Sequence, residues 1–194
     1  MLLGHSMGAH LALRYLARRP HAVARALLCA PMIGIRTGRW SQRLARRLAR
    51  LMIRLGLGQR WLPGRRNYTP LRIPFAVNPF TSDRARYERL RGLILKDPGL
   101  AFGRVDWYWL AAAFDSLDRL HAPGVAQSVT TPMTVLLAGQ DQVVDSQAAA
   151  DFAASLPRAR VQWVAGARHE LLQEAPAIQA TVWAALDRVL ADSE

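Results

Sequence analysis

The stretch Gly4-His5-Ser6-Met7-Gly8 decides the fold. Gly-x-Ser-x-Gly, set between a short apolar run and a helix-forming segment, is the pattern of a sharp strand-to-helix turn that lifts a serine hydroxyl above the end of a sheet. The serine at the apex takes a strained backbone conformation. The glycines on either side are expected because the chain passes too close there for a β-carbon. Before the turn, Met1-Leu2-Leu3 read as strand; after it, Ala9 to Arg19 reads as a helix stopped by Pro20.

Working outward, Arg25 to Ala30 is a buried strand closed by Pro31. From about Met32 to Val129 the pattern turns helical, broken by Gly and Pro. Trp40 to Leu55 is the plainest helix, with Leu44, Leu48, Leu51 and Leu55 on one face and Arg43, Arg46, Arg47, Arg50 and Arg54 around the rest. Gly56 to Asn78 is loop-rich, Thr81-Ser82-Asp83 reads as a cap for a helix over Arg84 to Leu95, and Val105 to Leu120 is helical. Alternation then resumes: strand Met133–Leu137, helix Ser146–Leu156, strand Arg160–Val164, helix Ala175–Ala191. This order predicts an α/β fold with a parallel sheet and a helical insertion. The expected divisions are 1–31 and 130–194 for the sheet and 32–129 for the insertion.

Ligands bind such sheets at the loops after the strands, and three of those loops carry reactive residues. Ser6 needs a base, and His169 follows a strand in Gly166-Ala167-Arg168-His169-Glu170. Its imidazole could take the serine proton and return it to a leaving group. Asp141, in Gly139-Gln140-Asp141, could fix the tautomer of that histidine. The chain order Ser, Asp, His is the one this fold uses. Asp145 is the alternative acid, although its place at a helix start suggests a cap. His5 and His10 flank the turn and are expected to pack or touch substrate rather than act as base. His21 and His121 read as surface residues. No His/Cys/Asp group has metal-ligand spacing, so neither metal nor cofactor is expected.

The 194 residues, 51% of them hydrophobic, suffice for one domain with a real core. No run of eighteen apolar residues is present, so no span of a membrane is expected. Met1-Leu2-Leu3 leads straight into the turn, so no signal peptide is expected, and the single Cys29, in an apolar run, fits a reduced, cytoplasmic setting. The net charge of +12 comes almost wholly from arginine, crowded between Arg36 and Arg104. No nucleic-acid-binding motif accompanies it. The basic helix Trp40–Leu55 could lie on an anionic membrane with its leucines inserted; alternatively the leucines pack inward and the arginines are simply solvated. Phe80, Phe102, Trp107, Tyr108 and Trp109 could line an acyl groove or form the insertion's own core.

These motifs, together with Asn78-Pro79-Phe80-Thr81-Ser82-Asp83 and His169-Glu170-Leu171-Leu172-Gln173-Glu174, resemble the α/β-hydrolase superfamily, in its lysophospholipase and monoacylglycerol lipase branch (the serine aminopeptidase S33, or Hydrolase_4, type). The resemblance implies Ser6 as nucleophile, Asp141 as acid, His169 as base and the Met7 backbone N–H as one oxyanion donor. It implies a serine ester hydrolase acting on a lipid-like carboxylic ester such as a lysophospholipid or monoacylglycerol. Two other readings are a catalytically impaired remnant that binds a membrane or partner, and a serine peptidase. In this branch a second oxyanion donor comes from a His-Gly loop after an early strand, which this sequence lacks. The expectation is therefore the C-terminal part, about 60%, of a hydrolase domain. One sheet edge would be unpaired, and loss of one oxyanion donor typically costs about 100- to 1000-fold in rate.

Overall fold

A computed structural model describes residues 1–38, 40–62, 73–101 and 105–191. Arg39, Arg104, Phe102 and the loop residues Pro63, Gly64 and Pro70 lie outside the described residues. Four short strands, β1 (Leu2–His5), β2 (Ala26–Cys29), β3 (Met133–Ala138) and β4 (Ala159–Val164), form one sheet in the order β1-β2-β3-β4, with every neighbouring pair parallel. The register pairs Gly4 with Leu28 and Leu28 with Val135. Parallel strands need helical crossovers, and the sequence supplies them: α1 (Met7–Leu16) joins β1 to β2, and α6 (Ser146–Ala154) joins β3 to β4.

Alternation along the inner strands sorts their side chains onto two faces. Ala26, Leu28, Val135 and Leu137 pack with Leu13 and Leu16 of α1 and Ala149 and Phe152 of α6. Leu27, Cys29, Leu136 and Ala138 pack with Val182 and Ala185 of α7 (Pro176–Ala191). Helices on both faces of a parallel sheet make the α/β architecture that the sequence pattern indicates. Cys29 is buried, and desolvation pushes its thiol up to about 12.

The described residues fall into two compact units. The sheet unit comprises Met1–Arg36, Pro79–Asp83 and Arg119–Glu194; the second comprises Thr37–Asn78 and Arg84–Asp118. Residues 32–36, 79–83 and 119–129, within the expected insertion, thus cluster with the sheet. The second unit holds α2 (Gln42–Arg54), α3 (Arg84–Lys96) and most of α4 (Trp107–Leu120), while the short α5 (Val125–Ser128), which the sequence pattern does not reveal, belongs to the sheet unit.

Helix α2 begins at Gln42 because Ser41 caps it, accepting the Leu44 N–H at 3.2 Å. Its inward residues are Ala45 and Ala49, both buried. Arg46 pairs with Asp118 of α4 and lies 4.6 Å over the Phe114 ring. Of the leucines, Leu44, Leu51 and Leu55 face outward, 52%, 50% and 61% exposed, while Leu48 is half-buried. Of the aromatic residues considered for an acyl groove, Trp107 is buried, Trp109 and Phe80 are half-buried and Tyr108 is exposed. No helix among the described residues is long and apolar enough to cross a membrane.

Candidate active site

Strand β1 ends at His5, and the next residue turns the chain. Ser6 has φ 51° and ψ −118°, a conformation that costs a residue with a side chain about 1–3 kcal/mol and must be held by its surroundings. Three backbone bonds hold it. The Ser6 N–H donates to the Cys29 carbonyl at 2.9 Å, and the Ser6 carbonyl accepts from His10 and Met32, each at 3.1 Å. A β-carbon on Gly4 would lie 2.9 Å from the Ala9 Cα, so only glycine fits there. The expectation for Gly8 needs correction: a β-carbon there meets nothing within 4 Å. The close approach lies on the strand side of the turn, where β1 runs against the first turn of α1.

His169 and Asp141 come from the loops after β4 and β3. The Gly139 N–H donates to the Val164 carbonyl at 3.0 Å and the Gln140 N–H to the Ala167 carbonyl at 2.8 Å, so the two loops are joined to each other. Both side chains are almost wholly buried. Asp141 Oδ1 accepts from the Val143 and Val144 N–H groups at 2.8 and 3.0 Å, which fixes the carboxylate plane. Its Oδ2 lies 2.8 Å from His169 Nδ1, and His169 Nε2 lies 2.9 Å from Ser6 Oγ. A carboxylate oxygen only accepts, so this pairing puts the proton on Nδ1 and leaves Nε2 to accept from the Ser6 hydroxyl. Hydroxyl, imidazole and carboxylate thus stand in a hydrogen-bonded line. Such a line can move a proton from Ser6 to His169 while stabilising the imidazolium that results.

Met7 is the first residue of α1, so its N–H is one of the donors that a helix start leaves without an intrahelical partner. Asp145 caps α6, accepting from Gln147 and Ala148 at 3.1 Å each, and makes no bond to His169 among those described. His5, inside the motif, donates from Nε2 to the His169 carbonyl at 3.1 Å. Its ring centroid lies 5.0 Å from that of His169. His10 is buried on α1, and desolvation lowers its pKa, with a bond to the Met32 backbone opposing the shift. His21 and His121 are exposed.

His5, His169 and Glu170 are the one group among the described residues whose donor atoms lie close enough to share an ion. Both His169 nitrogens are engaged by Ser6 and Asp141, and His5 Nε2 faces a carbonyl, so these donors do not suit a metal.

Sequence reasoning missed Glu174 and its partners. Glu174 is fully buried and binds Ser82 and the Arg168 backbone. Thr81 and Ser82, expected as helix caps, direct their hydroxyls to the Gln173 carbonyl and to Glu174. Thr81-Ser82 and Glu174 lie in two separate motifs whose contact spans 92 residues, so no local signal pairs them.

The chain matches the family model described as serine aminopeptidase, S33, over residues 1–176. The probable lysophospholipase L2 of Haemophilus influenzae is 28% identical over 189 residues, an alignment covering 97% of this chain and 58% of that relative. Lysophospholipase L2 of Escherichia coli K12 is 29% identical over 194 residues, covering 92% of this chain and 53% of the relative. The chain therefore spans little more than half the length of these curated relatives. In fold it is similar to a soluble variant of monoglyceride lipase from Saccharomyces cerevisiae, solved with a substrate analog, with a TM-score of 0.74 at 18% identity over 99% of this chain and 64% of that one. It is also similar to the monoacylglycerol lipase of Paleococcus ferrophilus, with a TM-score of 0.71 at 17% identity over 97% and 67%.

Proposed function

The chain belongs to the serine aminopeptidase S33 (Hydrolase_4) family, and from that premise we propose that it is a serine ester hydrolase of lipid-like carboxylic esters, such as a lysophospholipid or monoacylglycerol. The observation that carries this reading is the pair of bonds His169 makes, 2.9 Å to Ser6 Oγ and 2.8 Å to Asp141 Oδ2, with Ser6 held at positive φ. Ser6 Oγ attacks the ester carbonyl carbon as its proton passes to His169 Nε2. Asp141 stabilises the imidazolium, and the Met7 N–H donates to the developing oxyanion. The C–O bond to the alcohol then breaks, and His169 returns the proton to the departing alkoxide. Water, deprotonated by the same imidazole, releases the acid and regenerates Ser6. Both lysophospholipase relatives point to a lipid ester as substrate.

The second unit supports contact with an anionic membrane surface. Helix α2 buries Ala45 and Ala49 and turns Leu44, Leu51 and Leu55 outward, with exposed Arg43, Arg47 and Arg54 beside them. Burying the exposed half of one leucine in lipid yields about 1 kcal/mol, and each arginine near an anionic surface adds about 1 kcal/mol. Sedimentation with vesicles should show binding to phosphatidylglycerol that weakens with salt and is lost in Leu44→Ser/Leu51→Ser/Leu55→Ser. Equal binding of that variant rules the surface out. Release of fatty acid from lysophosphatidylcholine and monoacylglycerol, abolished in Ser6→Ala, tests the activity; release unchanged in Ser6→Ala refutes it.

A further inference from the structure

The two oxygens of the buried Glu174 collect four donors. Oε1 accepts from the Arg168 N–H at 2.7 Å. Oε2 accepts from the Ser82 N–H at 2.9 Å, the Ser82 hydroxyl at 2.6 Å and the Ala175 N–H at 3.2 Å. Thr81 Oγ1 also stands 3.3 Å from Oε2, but its shorter bond, at 2.7 Å, goes to the Gln173 carbonyl. Burying a carboxylate costs several kcal/mol unless its lone pairs are satisfied; here all the partners are donors, suited to a group that only accepts.

What these bonds hold together is the histidine loop. Arg168 immediately precedes His169, so Glu174 closes the short loop that carries it. The same carboxylate ties that loop to Pro79–Asp83, which grips the loop a second time. The His169 N–H faces the Pro79 carbonyl at 3.4 Å, the Glu170 N–H donates to the Phe80 carbonyl at 2.8 Å, and the Arg168 guanidinium donates to the Thr81 carbonyl at 3.2 Å. Residues 79–83 belong to the sheet unit although the chain on both sides of them belongs to the second unit. Their place beside His169 therefore rests on these bonds rather than on neighbouring sequence.

We infer that Glu174, with Ser82, is a positioning clamp that keeps His169 at bonding distance from Ser6 and Asp141. The inference rests on the reading of His169 as the base. Glu174 reaches the imidazole through the backbone, so its loss displaces the base without changing any reacting group. A misplacement of about 1 Å is enough to cost about 100-fold in rate.

Glu174→Gln keeps the shape but turns an NH2 toward the donors. It should be compared, in the 194-residue chain, with Ser82→Ala, Ser6→Ala and His169→Ala. The first readout needs no turnover: the His169 Nδ1 proton, which a bond to Asp141 shifts far downfield in the proton NMR spectrum. The second is hydrolysis of a short-chain soluble ester. In Glu174→Gln that retains the wild-type circular dichroism, the resonance should broaden or move. Its kcat should fall about 10- to 100-fold, with KM changed less than about threefold. Ser82→Ala should show a smaller change of the same kind, and the double variant should be no worse than Glu174→Gln alone. If Glu174→Gln does not fold, Ser82→Ala carries the comparison by itself. A wild-type resonance and kcat in folded variants that lose only thermal stability overturn the clamp. Failure of the underlying reading looks different: the wild-type chain shows no downfield proton, or that proton survives in His169→Ala.

Discussion

Substituting alanine for each glycine of the turn should have opposite effects. At Gly4 the new β-carbon lies 2.9 Å from the Ala9 Cα, 3.1 Å from its nitrogen and 3.4 Å from its β-carbon. Comfortable carbon contacts begin at about 3.5–4.0 Å, so β1 and the first turn of α1 must separate by roughly 0.5–1 Å. The obstacle is backbone, which cannot rotate aside. Overpacking of this kind costs about 1–3 kcal/mol, and in a chain of this size each kcal/mol lowers Tm by about 2–4 °C. The expected loss is therefore about 2–12 °C. The displaced segment carries Ser6, so its labelling by a phosphonate should slow about 10- to 100-fold. Gly8→Ala meets nothing within 4 Å and lies inside α1, where alanine gains up to about 1 kcal/mol over glycine. Its Tm should hold or rise by a few degrees. Thermal unfolding followed by circular dichroism decides the matter. Equal Tm values for the two variants, or a greater loss at Gly8, would refute the steric argument.

Asp141→Asn should preserve the fold, yet its amide can donate to His169 Nδ1 and force the ring proton onto Nε2, where it blocks acceptance from Ser6. A fall in kcat of about 10⁴-fold with little change in KM is expected in ester hydrolysis, and a loss under tenfold would count against the tautomer argument. For His10, burial lowers the folded-state pKa below 6.5, so the unfolded chain takes up the proton first as pH falls. Stability should therefore decline below about pH 6.5. Between pH 7 and 5 the Tm of His10→Gln should fall less steeply than that of the wild type; parallel curves would remove His10 from the account.

Much of the sheet unit is legible in the sequence because its signals are local. Buried four- to six-residue apolar runs mark β2 and β3, and Gly4-His5-Ser6-Met7-Gly8 fixes where strand becomes helix. Ser6, Asp141 and His169 can be seen to converge because each follows a strand of one parallel sheet, and parallel strands deliver their ends to one edge. Contacts between distant segments are less legible. Nothing near Glu174 announces that its carboxylate binds Ser82, because that bond depends on where residues 79–83 settle after the chain has passed through another unit. Helix α2 shows a different gap. Periodicity places Leu44, Leu51 and Leu55 on one face without saying whether that face is covered. The structure buries Ala45 and Ala49 instead, and Arg46 reaches Asp118 of α4. Gly8 shows that a motif position can be glycine without a steric demand visible among the described residues.

The central claim is that Ser6 is an activated nucleophile, and covalent labelling tests it most directly. The 194-residue chain is treated with a fluorophosphonate, digested, and the adduct located by mass spectrometry. One adduct is predicted, on Ser6 Oγ, absent from Ser6→Ala and from protein unfolded beforehand, and much slower to form in His169→Ala. Folded wild-type protein that takes no label, or that is labelled equally in Ser6→Ala, would contradict the account.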